Sequence, residues 1–241
     1  MVHFFRRIRQ KLLANNQMKK YILYAIGEIA LVMIGILLAL QVNNWNEGRK
    51  NRLKEKVYLE NLKSDLVLDI DRQKDRLNKI AYKASLFKAI DPSFQIRDSL
   101  HGKIMDNIHL DSIQLRTLID RGQNNRFILG TYNAIKDNGD IRLISNEDIY
   151  VNVITIYNNH RQSHESLYAD LKEIEAQLKY KYAKEIKYQN PKEIFLNNPN
   201  KEQVIAEFSN YFDVHSLRYR ELSRTVALME ETVLLINKEL I

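Results

Sequence analysis

The chain has 241 residues, 28% charged and 45% hydrophobic, a balance that excludes both a disordered tail and a polytopic membrane protein. Seven Gly and three Pro leave little turn chemistry for many strands, and the lack of Cys excludes a disulfide scaffold, a thiolate metal site and a cysteine nucleophile. The net charge of +7 is localised: +6 over 1–20, −1 over 21–42, +3 over 43–56 and −1 over 57–241. A nucleic-acid binder needs its basic patch on the folded part, so no nucleic-acid partner is expected; positive charge flanking one apolar run is the distribution of a membrane anchor.

In residues 1–20, Phe5, Ile8 and Leu12 recur at helical spacing while Arg6, Arg9 and Lys11 lie off that stripe. With Arg7, Lys19 and Lys20 they form a basic amphipathic cytoplasmic segment suited to an anionic lipid surface. A mitochondrial presequence shares this pattern.

Residues 21–42 read YILYAIGEIALVMIGILLALQV, with Glu28 as the single ionisable group. About 20 apolar residues cross the ~30 Å of a bilayer core, so the segment is long enough to span. Tyr21, Tyr24 and Trp45 sit where interfacial aromatics belong. The run is too long for a cleaved signal peptide, and Leu38-Ala39-Leu40-Gln41 is a poor cleavage site, so a retained signal anchor is expected. Basic residues nearly tie across the span. The short leading tail and the large trailing part favour a cytoplasmic N-terminus and an exported 43–241.

Glu28 lies ~10 Å into the span at helical rise. A lipid-facing charge there is costly. Gly35 and Ala39 share its helical face within ~20°, and Asn46 is almost in line. Small and polar residues on one stripe suit close helix packing, so Glu28, Gly35, Ala39 and Asn46 are expected in a transmembrane interface.

Residues 43–241 read as an elongated helical bundle. Leu59, Leu62, Leu66, Ile70, Leu77, Ile80, Ala84 and Phe87 keep helical spacing, predicting a helix that continues from the span and stops before Asp91-Pro92. Shorter helices are expected over 98–121 and 126–137, followed by an Asn138-Gly139 turn and an extended link through Ile141, Leu143 and Ile144. Ser145, with Asp148 three residues on, resembles an N-cap for a helix over 146–187 whose inner face carries Ile149, Val153, Ile156, Leu167, Leu171, Ile174 and Leu178. Pro191 and Pro199 bracket an expected polar loop. The final helix carries a heptad seam of Ile205, Phe208, Phe212, His215, Tyr219, Leu222, Val226, Met229, Val233, Ile236 and Leu240. Two long helices around a short loop pack antiparallel. The expected fold is therefore all-α: one N-terminal transmembrane helix, then an antiparallel bundle with coiled-coil character.

Chemistry is sparse. There is no G-x-G-x-x-G, H-E-x-x-H or G-x-S-x-G. His160 and His164 share a helical face, but a metal site needs a third ligand. In an antiparallel hairpin His215 faces about residue 171, ~16 Å from His160, so no metal or other cofactor is expected. Six tyrosines over 150–188 (Tyr150, Tyr157, Tyr168, Tyr180, Tyr182 and Tyr188) could line a ligand pocket, although bundle packing explains them more simply. Asp69 with Asp71 and Glu230 with Glu231 point to different faces and read as solvated charge.

The stretches FFRRIRQKLLANN, KKYILYAIGEIALVMIGILLALQVNNWNE and TYNAIKDNGDIRLISNEDIYVNVITIYN resemble a Bacteroidota family of single-pass membrane proteins known only as a domain of unknown function. That resemblance implies a bacterial inner-membrane protein with a helical periplasmic domain. The leading expectation is a non-enzymatic, membrane-anchored scaffold or interaction protein that self-associates. Its partners would be the lipid bilayer, a second copy and an unknown membrane protein. The alternatives are a periplasmic small-molecule sensor acting through a partner, and a subunit of an ion-driven membrane complex using Glu28.

Overall fold

The computed structural model describes residues 18–95, 100, 102–105, 108–120, 122, 126–188 and 192–241. Every regular element among them is helical. Helix α1 runs Met18–Ile90 as 73 residues without interruption, and ends where Asp91-Pro92 was expected to stop it. The chain divides into two compact units, 1–54 and 55–241.

In the first unit α1 carries its large apolar side chains outward, among them Leu23 (73% exposed), Leu31 and Leu38. It is long and apolar enough to cross a membrane. A helix that is apolar all round needs either a protein core or hydrocarbon around it, and here no core surrounds it, so it is a candidate membrane span.

In the second unit three apolar clusters lie along α1 and the last helix, α8 (Lys201–Glu239). Leu59, Leu62 and Leu66 meet Met229 and Ile236; Ile80 and Ala84 meet Tyr219 and Leu222; Phe87 stacks on Phe212 with centroids 4.4 Å apart. The shorter elements are α2 (Ser112–Thr117), α3 (Gly130–Asp137), a 3₁₀ turn (Asp140–Leu143), α4 (Glu147–Ile154), a π turn (Thr155–His160), α5 (Arg161–Lys181), α6 (Ala183–Tyr188) and α7 (Lys192–Phe195). Along α4, the π turn and α5, residue numbers rise as their partners on α8 fall: Asn146 bonds Glu239, His164 bonds Thr225, and Lys181 pairs with Glu207.

The seam of α8 buries Phe208, Phe212, His215, Tyr219, Leu222, Val226, Met229 and Ile236, with Ile205, Val233 and Leu240 half-buried. Other expectations need correction. Of the helix expected over 98–121, the α-helical part among the described residues is Ser112–Thr117; Leu100 is 3₁₀, and 102–105 and 108–111 are not helical. Gly102 adopts φ 73°, and the Met105 amide leaves any helical ladder to donate to Ser85 Oγ at 2.9 Å. The next helix begins at Gly130, not 126, because the preceding strip is drawn towards α1: Ile128 N donates to Asp69 Oδ2 at 2.8 Å. The link after Gly139 is a 3₁₀ turn over Asp140–Leu143, entered through φ 73° at Gly139, and only Ile144 is extended. The cap is Asn146, whose Oδ1 accepts from Ile149 N at 3.2 Å, because the Ser145 hydroxyl is engaged with Glu55.

The helix expected over 146–187 contains a π turn and breaks at Tyr182. A π turn holds one residue more than an α turn. Beyond it Leu171 and Leu178 are buried as expected, while Glu175 is buried and Ile174 and Leu167 are half-buried. Between 191 and 199 a polar loop was expected, but α7 buries Ile194 and Phe195 in the core. The basic residues Arg6, Arg7, Arg9 and Lys11 lie outside the described residues.

Candidate functional site

Between two of the apolar clusters, α1 turns polar. Arg72, Arg76, Lys79 and Lys83 follow one another at steps of four, three and four, which puts them on one helical face. With Thr117, Asp120, Gly122 and Arg126 from the connecting segment, and His215 and Arg218 from α8, they line a cavity of about 590 Å³. Ile80 and Tyr82 give it an apolar part. Six lining residues are cationic and two, Asp75 and Asp120, are anionic.

The two acids are already engaged. Asp75 Oδ2 holds Lys79 Nζ at 2.5 Å, and Asp120 Oδ1 accepts the Gly122 amide at 2.9 Å. Asp69, fully buried behind Arg72, accepts the Ile128 amide at 2.8 Å and lies 3.9 Å from the Arg72 guanidinium. It is not solvated, contrary to its expected role, and burial raises its carboxyl pKa above the usual value. Gln73 Oε1 accepts from Arg76 at 2.9 Å.

The deepest groups are Lys83 (7% exposed), Arg218 and His215 (1% exposed). Among the described residues Lys83 has no hydrogen bond or ion pair, and neither ring nitrogen of His215 has a hydrogen-bond partner. Burial, partly offset by Asp120, lowers Lys83 to about 8. Burial, together with the neighbouring Lys83 and Arg218 charges, holds His215 well below its usual range, so it is neutral at pH 7. Arg218, whose guanidinium lies 5.5 Å from the centre of the Tyr168 ring, is lowered to about 10, first by burial and then by Arg76. The site thus holds buried positive charge whose desolvation the neighbouring acids offset only in part. Nothing in the apolar periodicity of α1 revealed it, although the 72-76-79-83 stripe was legible as a spacing of cations.

The other candidates lie elsewhere. Glu28 is half-buried, and Gly35, Ala39 and Asn46 are exposed on α1; Ala39 and Asn46 border a shallow surface groove with Leu38, Val42, Asn43 and Trp45. Lys19 is exposed, and Lys20 falls within α1. The seam residues Phe208, Phe212, Leu222, Val226 and Met229 are core.

His160 and His164 converge on one hydroxyl: Thr225 Oγ1 lies 3.0 Å from His160 Nδ1 and 2.8 Å from His164 Nε2. That hydroxyl donates its own proton to Glu221 O at 2.8 Å, so both rings must donate to it as Nδ1–H and Nε2–H tautomers. His215 packs instead on the Tyr211 and Phe212 rings. Among the described residues no three His, Asp or Glu side chains converge as a metal site.

The tyrosines over 150–188, for which packing was the simpler expectation than a shared pocket, have separate surroundings. Tyr157 stacks on Tyr132 at 4.7 Å, Tyr168 faces Arg218, Tyr182 donates to Glu207 at 2.8 Å, and Tyr180 points outward. The Tyr188 side chain lies outside the described residues.

No curated protein and no solved structure matches the chain. The model of DUF6090, described as a family of unknown function, matches residues 28–160, which include the candidate span from Glu28 onward, the α1 stripe and the 131–158 segment. That match covers more than half of the sequence, and the chain belongs to this family of unknown function, DUF6090.

Proposed function

We propose that this chain is a membrane-anchored, non-enzymatic helical protein whose large outer domain binds a small molecule. The observation that carries this reading is the lined cavity, where buried Lys83 has no hydrogen-bond partner among the described residues. Buried polar groups left without partners are costly, and a ligand that satisfies them is a common reason for their presence. The proposed architecture is an antiparallel bundle with coiled-coil character, formed by α1, α4–α5 and α8. The sequence resemblance supports a bacterial, Bacteroidota inner membrane, and the charge distribution supports an N-terminus in the cytoplasm with 43–241 in the periplasm. Arg6, Arg7, Arg9, Lys11, Lys19 and Lys20 then meet the anionic inner leaflet.

The test is native mass spectrometry of the full chain released from detergent, followed by identification of what co-purifies. The expected result is a small molecule bound to the protein. A mass of protein and lipid alone, with no thermal stabilisation by any compound of a metabolite collection, overturns the reading. A reporter fused after Ile241 is expected to behave as exported; cytoplasmic reporter activity overturns the orientation.

A second reading, self-association through the span, is favoured by Gly35. It is exposed on α1 and shares a helical face with Glu28 and Ala39, where a small residue lets a second helix approach closely.

A further inference from the structure

Resting on the ligand-binding reading above, we infer that the cavity takes a phosphate-bearing small molecule, with its anionic group held among Lys83, Arg218, Arg76 and Arg126. Size, charge and hydrogen-bonding capacity each argue for this class. A volume of about 590 Å³ is that of an ordinary ligand pocket and far exceeds one phosphate group. The ligand therefore has a body, which Ile80 and Tyr82 can cover, as well as an anionic end.

The charge on the wall decides the sign of that end. Six cations against two acids leave the lining net positive. Asp75 is committed to Lys79, and Asp120 and Glu175 offset only part of the burial of Lys83 at the deep end. A cation or a neutral sugar would leave that excess unrelieved. A single carboxylate would relieve one charge. A phosphate monoester brings nearly two negative charges and three acceptor oxygens, and its geometry matches the forked donors of Arg76, Arg126 and Arg218.

The donors are of the right kind. Lys83 offers an ammonium with no hydrogen-bond partner in the protein among the described residues, and neutral His215 lines the wall without adding to the positive charge. Arg218 is pinned by the Tyr168 ring and so is oriented before a ligand arrives. Arg126, exposed at the rim, is the cation the ligand meets on entry.

A phosphate group could belong to a soluble ester or to a phospholipid headgroup, and the experiment separates the two. The full chain is placed in nanodiscs of zwitterionic phosphatidylcholine. Thermal unfolding is followed while inorganic phosphate or pyrophosphate is added, against sodium chloride at matched ionic strength. A parallel sample uses discs containing anionic phosphatidylglycerol. The soluble assignment expects stabilisation by phosphate, and more by pyrophosphate, beyond that from chloride. The headgroup assignment expects stabilisation in the anionic discs instead.

In either case Lys83→Met should weaken the dependence on the anion about tenfold or more, as expected when a charge-assisted hydrogen bond is lost. Arg126→Ala, at an exposed site that folding does not need, should weaken it in the same direction and serves if Lys83→Met fails to fold. The inference is overturned if neither phosphate source stabilises beyond its control, or if both variants respond like the parent. Stabilisation by neutral compounds alone would remove the phosphate assignment and keep the ligand-binding reading. Stabilisation by nothing removes both.

Discussion

Glu55 Oε1 accepts two hydrogen bonds from Ser145, at 2.6 Å from the amide and 2.7 Å from the hydroxyl. One carboxylate oxygen thus ties α1 to the start of α4, 90 residues later, in a position only 5% exposed. Hydrogen bonds to a charged acceptor contribute about 1.5–3 kcal/mol each, and exposed Ser145 recovers part of that from water once the carboxylate is gone. Glu55→Ala is expected to destabilise the domain by about 2–3 kcal/mol, with Glu55→Gln intermediate. Chemical denaturation of the three proteins measures this. Equal midpoints would mean that water replaces the carboxylate at no cost.

Lys83 makes stability depend on pH in an unusual direction. Its folded-state pKa is about 8, below the usual 10.5 of a lysine, so the unfolded chain binds more protons between those values. Stability therefore rises with pH across about pH 8 to 10.5, by up to about 3 kcal/mol from this group alone. Other lysines and tyrosines titrate in the same range, so the readout is the difference from Lys83→Met. The variant is expected to be more stable than the parent at pH 7 and to converge with it near pH 10.5. A constant difference across that range would show that Lys83 is solvated in solution.

The α8 seam gives a sharper test of the core. Leu222 is fully buried with Tyr219, Ile80 and Ala84. Leu222→Asp places a carboxylate there, and an unpaired buried charge costs about 3–5 kcal/mol. Loss of cooperative unfolding is expected, and so is a smaller loss for Val226→Asp at the edge of the core. An unchanged melting curve for Leu222→Asp would show that this packing is not the one in solution.

For Glu28 the self-association reading separates two substitutions. Glu28→Gln keeps a hydrogen-bonding side chain and is expected to preserve assembly, while Glu28→Leu is expected to weaken it. Sedimentation in detergent measures the oligomer. Full assembly of the Leu variant removes Glu28 from the interface.

The long elements were legible because burial on one face repeats over many turns. Leu59 to Phe87 and Phe208 to Ile236 each sum enough periodic positions to override any single exception. The proline after Asp91 added a local stop, which the chain obeys. Short elements failed where a distant partner decides the backbone. The Met105 amide goes to Ser85, the Ile128 amide to Asp69 and the Ser145 hydroxyl to Glu55, and no local pattern encodes such choices. The cavity was hidden for a related reason. A cation stripe on a helix normally means solvent, and only the packing of Arg218 and His215 opposite shows that Arg76 and Lys83 face inward. Asp69 was misjudged in the same way.

The π turn at Thr155–His160 also changes what insertions and deletions would do here. Because such a turn carries one surplus residue, losing a single residue within it would restore ordinary α geometry instead of severing the helix. Everything downstream would keep its place about the helix axis, because the bulge absorbs the surplus residue locally. Glu175 would stay buried, with its ion pair to Lys179 unchanged. In this stretch of chain, then, one residue of length can be lost without turning the helix. A relative one residue shorter here would keep the same fold with the same side chains of α5 in the core.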